Sequence, residues 1–425
     1  MSLYGAMYTS VTGLQSQSNA MGAISDNLAN VNTTAYKSTM MDFASQVTKQ
    51  ASFKEYAAGG VISNARRGVD AQGLLSRTTS STDLAISGQG FFVVNEAANP
   101  STGDNWAYTR SGSFQVNHEG YLVNSNGFYL QAWPTLPDGS IGYYDTTGAL
   151  VDINTNIINN TNLKPVNLRN IGGTATASTS VTFAANLPAN ATIGDAHTSD
   201  VLIYDSLGNA QNLSFTWTKT AVNAWDLSIA TPADATSLTL NGGAAITFNG
   251  DGTPAAINPT DIDIVWANGA ANQNVTFDFG TLNLTDGMTQ FAGTYSPTLI
   301  TQDGAAFGSF TGVDISDDGT VTALFDNGET RPIYKIPVAT FVNPNGLGTL
   351  NGGSYIETDY SGSYVLHTAG EASAGTIAAT TLEASNVDIG EQFTAMIITQ
   401  RAYSAAAKVV TTADEMLDEL IRIKR

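Results

Sequence analysis

LEASNVDIGEQFTAMIITQRAYSAAAKVVTTADEMLDELIRIKR, residues 382–425, carries an apolar side chain at every seventh position: Leu382, Ile389, Met396, Tyr403, Val410 and Leu417. A stripe of that period marks a helix with one face that seeks a partner helix. Phe393 and Ile421 widen the stripe. Asp388 with Glu391 has the spacing of a capping box, and Arg422, Lys424 and Arg425 lie at the far end, where cations suit the helix dipole. A helix is therefore expected over 386–425, and from Asp388 to Lys424 it would run roughly 55 Å at ~1.5 Å per residue. A helix so long cannot shield its own stripe.

The other end repeats the pattern. Met7, Leu14, Met21 and Leu28 form one seam, and Leu3, Ile24 and Val31 a neighbouring row that Ser10 and Gln17 interrupt. The helix is expected from Leu3 to about Val31 within an N-terminal assembly segment, 1–35. Asn30, Asn32, Thr33 and Thr34 end it, because short polar side chains compete for backbone hydrogen bonds.

Between these helices the pattern changes to short β-type runs punctuated by glycine turns. DLAISGQGFFVV, WAYTRSGSFQVN and GYLVNSNGFYLQAW lie in 83–147, read as the first part of an inner β domain. An Asn/Thr/Asp-rich stretch, 148–286, reads as an inserted outer β domain, and 287–364 as the second part of the inner one. Polar segments 36–82, with a short helix near Asp42–Gln50, and 365–385 read as connectors. The expected class is α+β: long terminal helices forming a paired, coiled-coil-like layer and enclosing nested, mainly antiparallel β domains.

Charge is sparse and one-sided, with 37 acidic against 17 basic residues, a formal −20. Between Asn170 and Thr330 the one basic residue is Lys219. Phosphate recognition needs clustered cations, so nucleic acid is excluded as a partner. The chain has no cysteine, which removes disulfides, thiolate catalysis and cysteine-ligated metals. The opening MSLYGAMYTSVTGLQSQS has neither a basic n-region nor a continuous apolar core, so no cleaved signal peptide and no membrane insertion are expected.

No catalytic constellation emerges, and neither a metal nor a cofactor is expected. His118, His197 and His367 stand apart from one another, and none has a second histidine at helical spacing. Gly88-Gln89-Gly90 precedes a strand and lacks the third glycine of a dinucleotide loop. Asp314-Ile315-Ser316-Asp317-Asp318-Gly319 matches half of a calcium loop, but its twelfth position is Phe325 where a bidentate acid is required. A β-turn at Asp317–Gly319 joining two strands accounts for it.

Within and beside the heptads, sequence signatures carry more. Ser25-Asp26-Asn27-Leu28-Ala29-Asn30-Val31-Asn32-Thr33-Thr34-Ala35-Tyr36-Lys37 resembles the N-terminal signature of the bacterial flagellar axial proteins, the rod, hook and hook-associated subunits. Asn27, Ala29, Asn30, Thr33, Tyr36 and Lys37 are the matching positions. Asp83-Leu84-Ala85-Ile86 with Gly90-Phe91-Phe92, and Tyr108-Thr109-Arg110-Ser111-Gly112 with Phe114, resemble that family's β motifs. So does Leu382-Glu383-Ala384-Ser385-Asn386-Val387-Asp388, followed by Gln400-Arg401-Ala402-Tyr403, at the C-terminus. The chain departs from the pattern at Ala35, where the family has Gly, and at Ala406, where it commonly has Asn. A positive φ at Ala35 would carry strain.

Rod subunits are much shorter. The middle here carries Val201-Leu202-Ile203-Tyr204-Asp205-Ser206-Leu207-Gly208-Asn209, Gly287-Met288-Thr289-Gln290-Phe291 and Asn327-Gly328-Glu329-Thr330-Arg331, which resemble hook-type members. The resemblance implies a non-enzymatic subunit of the extracellular flagellum that polymerises into a flexible curved tube, a universal joint passing torque from rod to filament. The implied partners are copies of itself, the rod, hook-cap and hook–filament junction proteins, and the flagellar type III export apparatus. The seam residues named above would form its assembly interface. Two alternatives are a distal rod protein and a secreted β-rich adhesin that binds glycans.

Overall fold

The computed structural model describes residues 3–46, 59–100, 106–144, 149–152, 162–169 and 171–423. The chain divides into two compact units: 1–170 with 313–322 and 331–425, and 171–312 with 323–330.

In the first unit, helix α1 spans Leu3–Ala29 and helix α2 spans Ile389–Ile423. Asp388 caps α2, its Oδ1 accepting the Glu391 N–H at 2.9 Å, as the capping-box spacing predicts. α1 ends two residues before Val31. Asn30 donates its side-chain amide to the Asp26 carbonyl at 2.9 Å, and Thr33 Oγ1 donates to Asn30 Oδ1 at 3.0 Å, so side chains take over the last turn.

Two stretches expected to be connectors are paired strands instead. β1 (Thr39–Ser45) and β2 (Val61–Arg67) form an antiparallel hairpin in the register Met41↔Ala65. The short helix expected near Asp42–Gln50 is thus strand as far as Ser45, and 47–50 lie outside the described residues. β3 (Leu75–Arg77) pairs with Thr381–Glu383, while Val365–Thr368 pairs with Pro337–Thr340 and Thr376–Ala379 with Leu84–Ser87. Each is short, and its partner lies far away in sequence, so composition could not reveal the ladder.

The β body of this unit is built on Phe91–Asn95, every residue of which is buried. It pairs antiparallel with Ala107–Thr109, Tyr129–Pro134 and Pro337–Thr340. Phe91, Tyr108, Phe341 and Tyr355 meet edge-on around its core, with ring centroids 4.8 to 5.8 Å apart. Two signature glycines are required here. A Cβ at Gly112 would collide with the Leu84 carbonyl, and one at Gly90, which sits at φ +125°, with the Val338 side chain. The Asp317–Gly319 stretch is a turn, with Gly319 at φ +83° and Asp318 bound to Lys335 Nζ at 2.6 Å.

The second unit begins at Ile171, later than the 148–286 expected from composition. Lys164–Pro165 pairs with Tyr129–Pro134 and so belongs to the first unit. Ser296–Gln302 pairs along Ser180–Asn186, which extends the insert beyond Asp286. The unit holds two five-stranded sheets around one core of Phe183, Phe215, Trp217, Trp225, Ile262 and Ile264. Ala210–Ala221 alternates strictly, turning Gln211, Leu213, Phe215, Trp217 and Lys219 inward. Lys219 is spent inside, donating to the carbonyls of Ala189 and Ala191, so no cation is left on the described surface of this unit.

Asp205, in the hook-type signature, is fully buried yet saturated: it accepts from the Leu207 and Asn209 amides and from the Asn209 and Asn268 side chains, at 2.7 to 3.0 Å. Burial pushes its carboxyl up, and these donors outweigh burial, so its pKa falls below the ordinary 3.8. A folded pKa below the unfolded one means stability that is present above the unfolded value and lost as pH falls through the folded one. Asp205→Asn should cost the second unit about 1–3 kcal/mol at neutral pH by stranding donors. Denaturant titrations should show the gap to wild type closing in acid, below the unfolded value. A gap independent of pH would contradict this.

Candidate assembly surface

α1 and α2 lie in contact and run antiparallel. Asn27 meets Gln392, and Gly13 meets Ala406; both pairs are fourteen residues apart along their helices. A Cβ at Gly13 would come to ordinary van der Waals distance, 4.0 Å, from that of Ala406. Where the family commonly has Asn, this chain thus places a small residue against a glycine. The buried row of α1 is Ser16, Ala20, Ala23, Ile24 and Asn27, and that of α2 is Gln392, Thr399 and Ala413. Small and polar residues predominate among the side chains fully buried on the two helices, with Ile24 the one large member.

The large heptad side chains are left at least partly open. Met7, Leu14, Met21, Leu28, Val31, Met396, Val410 and Leu417 are half-buried. Ile389 (47%), Phe393 (49%), Tyr403 (45%) and Ile421 (63%) are exposed, and Tyr4, Tyr8, Val11, Ile397 and Ile398 join them. Among the predicted interface residues whose side chains are described, Ile24 alone is buried; Leu3 opens α1. Gln400 and Arg401, with Ala29 and Thr33, are exposed; Gln17 is half-buried and Asp414 exposed. The polar pair that spans the helices is Asn27–Gln392.

The N-terminal signature is tied to the C-terminal one beneath these helices. Asn27, 1% exposed, uses its whole side chain. Nδ2 donates to Gln392 Oε1 (3.0 Å) and the Thr39 carbonyl (2.9 Å), while Oδ1 accepts from the Thr39 amide and the Tyr36 hydroxyl. Lys37 Nζ donates to Glu383 Oε1 at 2.6 Å and to the Ala71 carbonyl. Glu383, fully buried, also accepts from the Gly73 amide at 2.7 Å and faces Arg110 Nη1 at 3.7 Å. Asn386 accepts from the Ser38 amide at 2.7 Å. Burial lowers the pKa of Lys37, and Glu383 opposes that shift. Ala35 does sit at φ +56°, buried, with its amide donating to the Glu383 carbonyl at 2.8 Å. That backbone conformation costs an L-residue roughly 1–2 kcal/mol. Sequence reasoning missed the pairing of Glu383 with Lys37 and Arg110. The signal was available, since each lies inside a quoted signature, but nothing in the spacing joins them.

The terminal helices thus run antiparallel, in contact at Asn27–Gln392 and at Gly13–Ala406, and carry exposed large apolar side chains. The family described as Flagella basal body rod protein matches 7–37, Flagellar hook protein FlgE/F/G D1 domain 85–192, Flagellar basal body protein FlaE D2 domain 170–305, and Flagellar basal body rod FlgEFG protein C-terminal 378–423. The flagellar hook protein FlgE of Rhizobium meliloti (strain 1021) is 37% identical and that of Brucella suis biovar 1 34% identical, each with 100% of both chains covered. That of Escherichia coli K12 is 29% identical over 99% of this chain and 100% of its own. The crystal structure of Helicobacter pylori flagellar hook protein FlgE2 aligns with 72% of this chain and 100% of its own at TM-score 0.47 and 14% identity. The chain belongs to the flagellar hook protein family, and its role is that of a structural hook subunit. Among the described residues no helix is long and apolar enough to cross a membrane.

Proposed function

We propose that the chain polymerises into the hook tube through the exposed apolar faces of α1 and α2, which form a coiled-coil-like inner layer with those of neighbouring copies. The observation that carries this reading is the division of labour on α2. Ala413 and Thr399 are spent inside the chain, while Ile389, Phe393, Ile398 and Tyr403 remain open to solvent. Open apolar side chains in such number on one helix mark an interaction face. The contact is heterologous, one face meeting a different face of the next copy, and without closure that generates a helical tube. The inner helical layer holds the tube together while polar outer contacts slide, so that it bends as a universal joint and passes torque from rod to filament. The rod, hook-cap and hook–filament junction proteins and the type III export apparatus are the partners this role implies.

Electron microscopy of the purified, polymerised chain tests the reading. Short curved tubes of uniform diameter are expected. Closed rings, flat sheets, or a monomer that binds glycans without polymerising would overturn it.

A further inference from the structure

Asn–Gly is the dipeptide at which a polypeptide most readily modifies itself, because no Cβ shields the glycine amide. The glycine nitrogen attacks the carboxamide carbon of the preceding side chain, a new C–N bond forms, and the C–N bond to the side-chain nitrogen breaks with release of ammonia. Water then opens the cyclic imide to aspartate or to isoaspartate. The chain contains seven such pairs, beginning at Asn126, Asn241, Asn249, Asn268, Asn327, Asn345 and Asn351.

Six of the seven are held. Asn126 donates to the Gly352 carbonyl at 2.8 Å, Asn241 to Asp261 and Asp263 at 2.8 Å, and Asn249 to Asn283 at 2.9 Å. Asn268 and Asn327 donate to Asp205 and to the Ala306 carbonyl, both at 2.7 Å, and Asn345 accepts from the Val69 amide at 2.9 Å. In three of these pairs the nucleophile is engaged as well. The amides of Gly127, Gly328 and Gly346 donate to the carbonyls of Asn124, Phe325 and Asn343 at 3.0 to 3.1 Å.

Asn351 alone is free on both counts. It is exposed, its carboxamide makes no hydrogen bond among the described residues, and the amide of Gly352 donates to none of them. Gly352 and Gly353 follow at φ +77° and +69°, in the exposed turn between Gly348–Thr349 and Ser354–Ile356. We propose that Asn351 is the site of spontaneous deamidation and isoaspartate formation in this subunit. The product adds a carboxylate to a chain already at −20. As isoaspartate it also inserts a methylene into the main chain of a turn whose Gly352 carbonyl binds Asn126 and whose following strand pairs with Ala107–Thr109. The reaction therefore records subunit age at a defined point of the β body.

A restrained carboxamide must first break its hydrogen bond, so Asn351 should react roughly five- to a hundredfold faster than the other six. The test incubates the folded full-length chain in warm, mildly alkaline buffer, with a portion unfolded in urea as the reference. Peptide mass spectrometry follows the conversion of amide to acid, and methylation by an isoaspartyl methyltransferase gives a second readout. The expected result is conversion at Asn351 first in the folded chain, comparable rates at all seven in urea, and loss of the early methylation in Asn351→Gln. Conversion at any of the other six as fast as at Asn351, or persistence of the early methylation in Asn351→Gln, would overturn the proposal. So would protection of Asn351 relative to the urea reference equal to that of the other six.

Discussion

Glu383→Gln is expected to destabilise the first unit by about 3–5 kcal/mol, the cost of breaking a buried charge pair from one side. Glu383 is fully buried between Lys37 and Arg110, whose side chains are 1% and 2% exposed. Removing its charge leaves two cations in the interior with no counter-charge. Lys37→Met should cost markedly less, because Glu383 then keeps Arg110 at 3.7 Å and the Gly73 amide at 2.7 Å. The double variant Lys37→Met/Glu383→Gln should lose less than the sum of the two, since the partners share one interaction. Denaturant unfolding followed by circular dichroism checks the order. The second unit contributes its own transition, an internal control that should not move. Equal losses for the two single variants would show that the ionic contact is not what Glu383 supplies.

The second large effect separates assembly from folding. Phe393→Ser, Ile398→Ser and Tyr403→Ser together should leave the dilute subunit within about 0.5 kcal/mol of wild type, as surface changes do. All three are exposed, at 49%, 63% and 45%. Polymerisation should nevertheless fail. A fully buried side chain of this size contributes about 1.5–3 kcal/mol, and half of that at each of three positions removes roughly 2–4 kcal/mol per contact, or more than tenfold in affinity. Ala413→Leu should do the reverse. Ala413 is 4% exposed, and overpacking such a site costs about 1–3 kcal/mol in the subunit itself. Sedimentation and electron microscopy report polymer, and thermal unfolding reports the subunit. If the triple variant polymerised normally, the open face of α2 would not be the assembly surface.

The heptad period fixed both helices nearly to their ends, because amphipathic periodicity and capping are local. Asp388 caps α2 where the spacing put it, and Asn30 and Thr33 close α1. The strands of the inner body were legible where they were long and apolar, as at Phe91–Asn95. Thr376–Ala379 and Thr381–Glu383 were not, because a strand of three or four residues exists only by virtue of its partner.

The chain by itself determined that two long helices stand at its ends, that β structure lies between them, and that its signatures are those of an axial subunit. The tertiary structure decided which helix rows meet. Seven-residue periodicity named the large residues as the seam, yet the side chains fully buried on the two helices are Ser16, Ala20, Ala23, Ile24, Asn27, Gln392, Thr399 and Ala413. Which row is covered depends on what packs beside each helix, which the period alone does not specify. The tertiary structure also joined Lys37, Arg110 and Glu383, which are hundreds of residues apart in part, into one buried cluster. Period and composition are properties of neighbours along the chain, whereas burial and charge pairing are properties of neighbours in space.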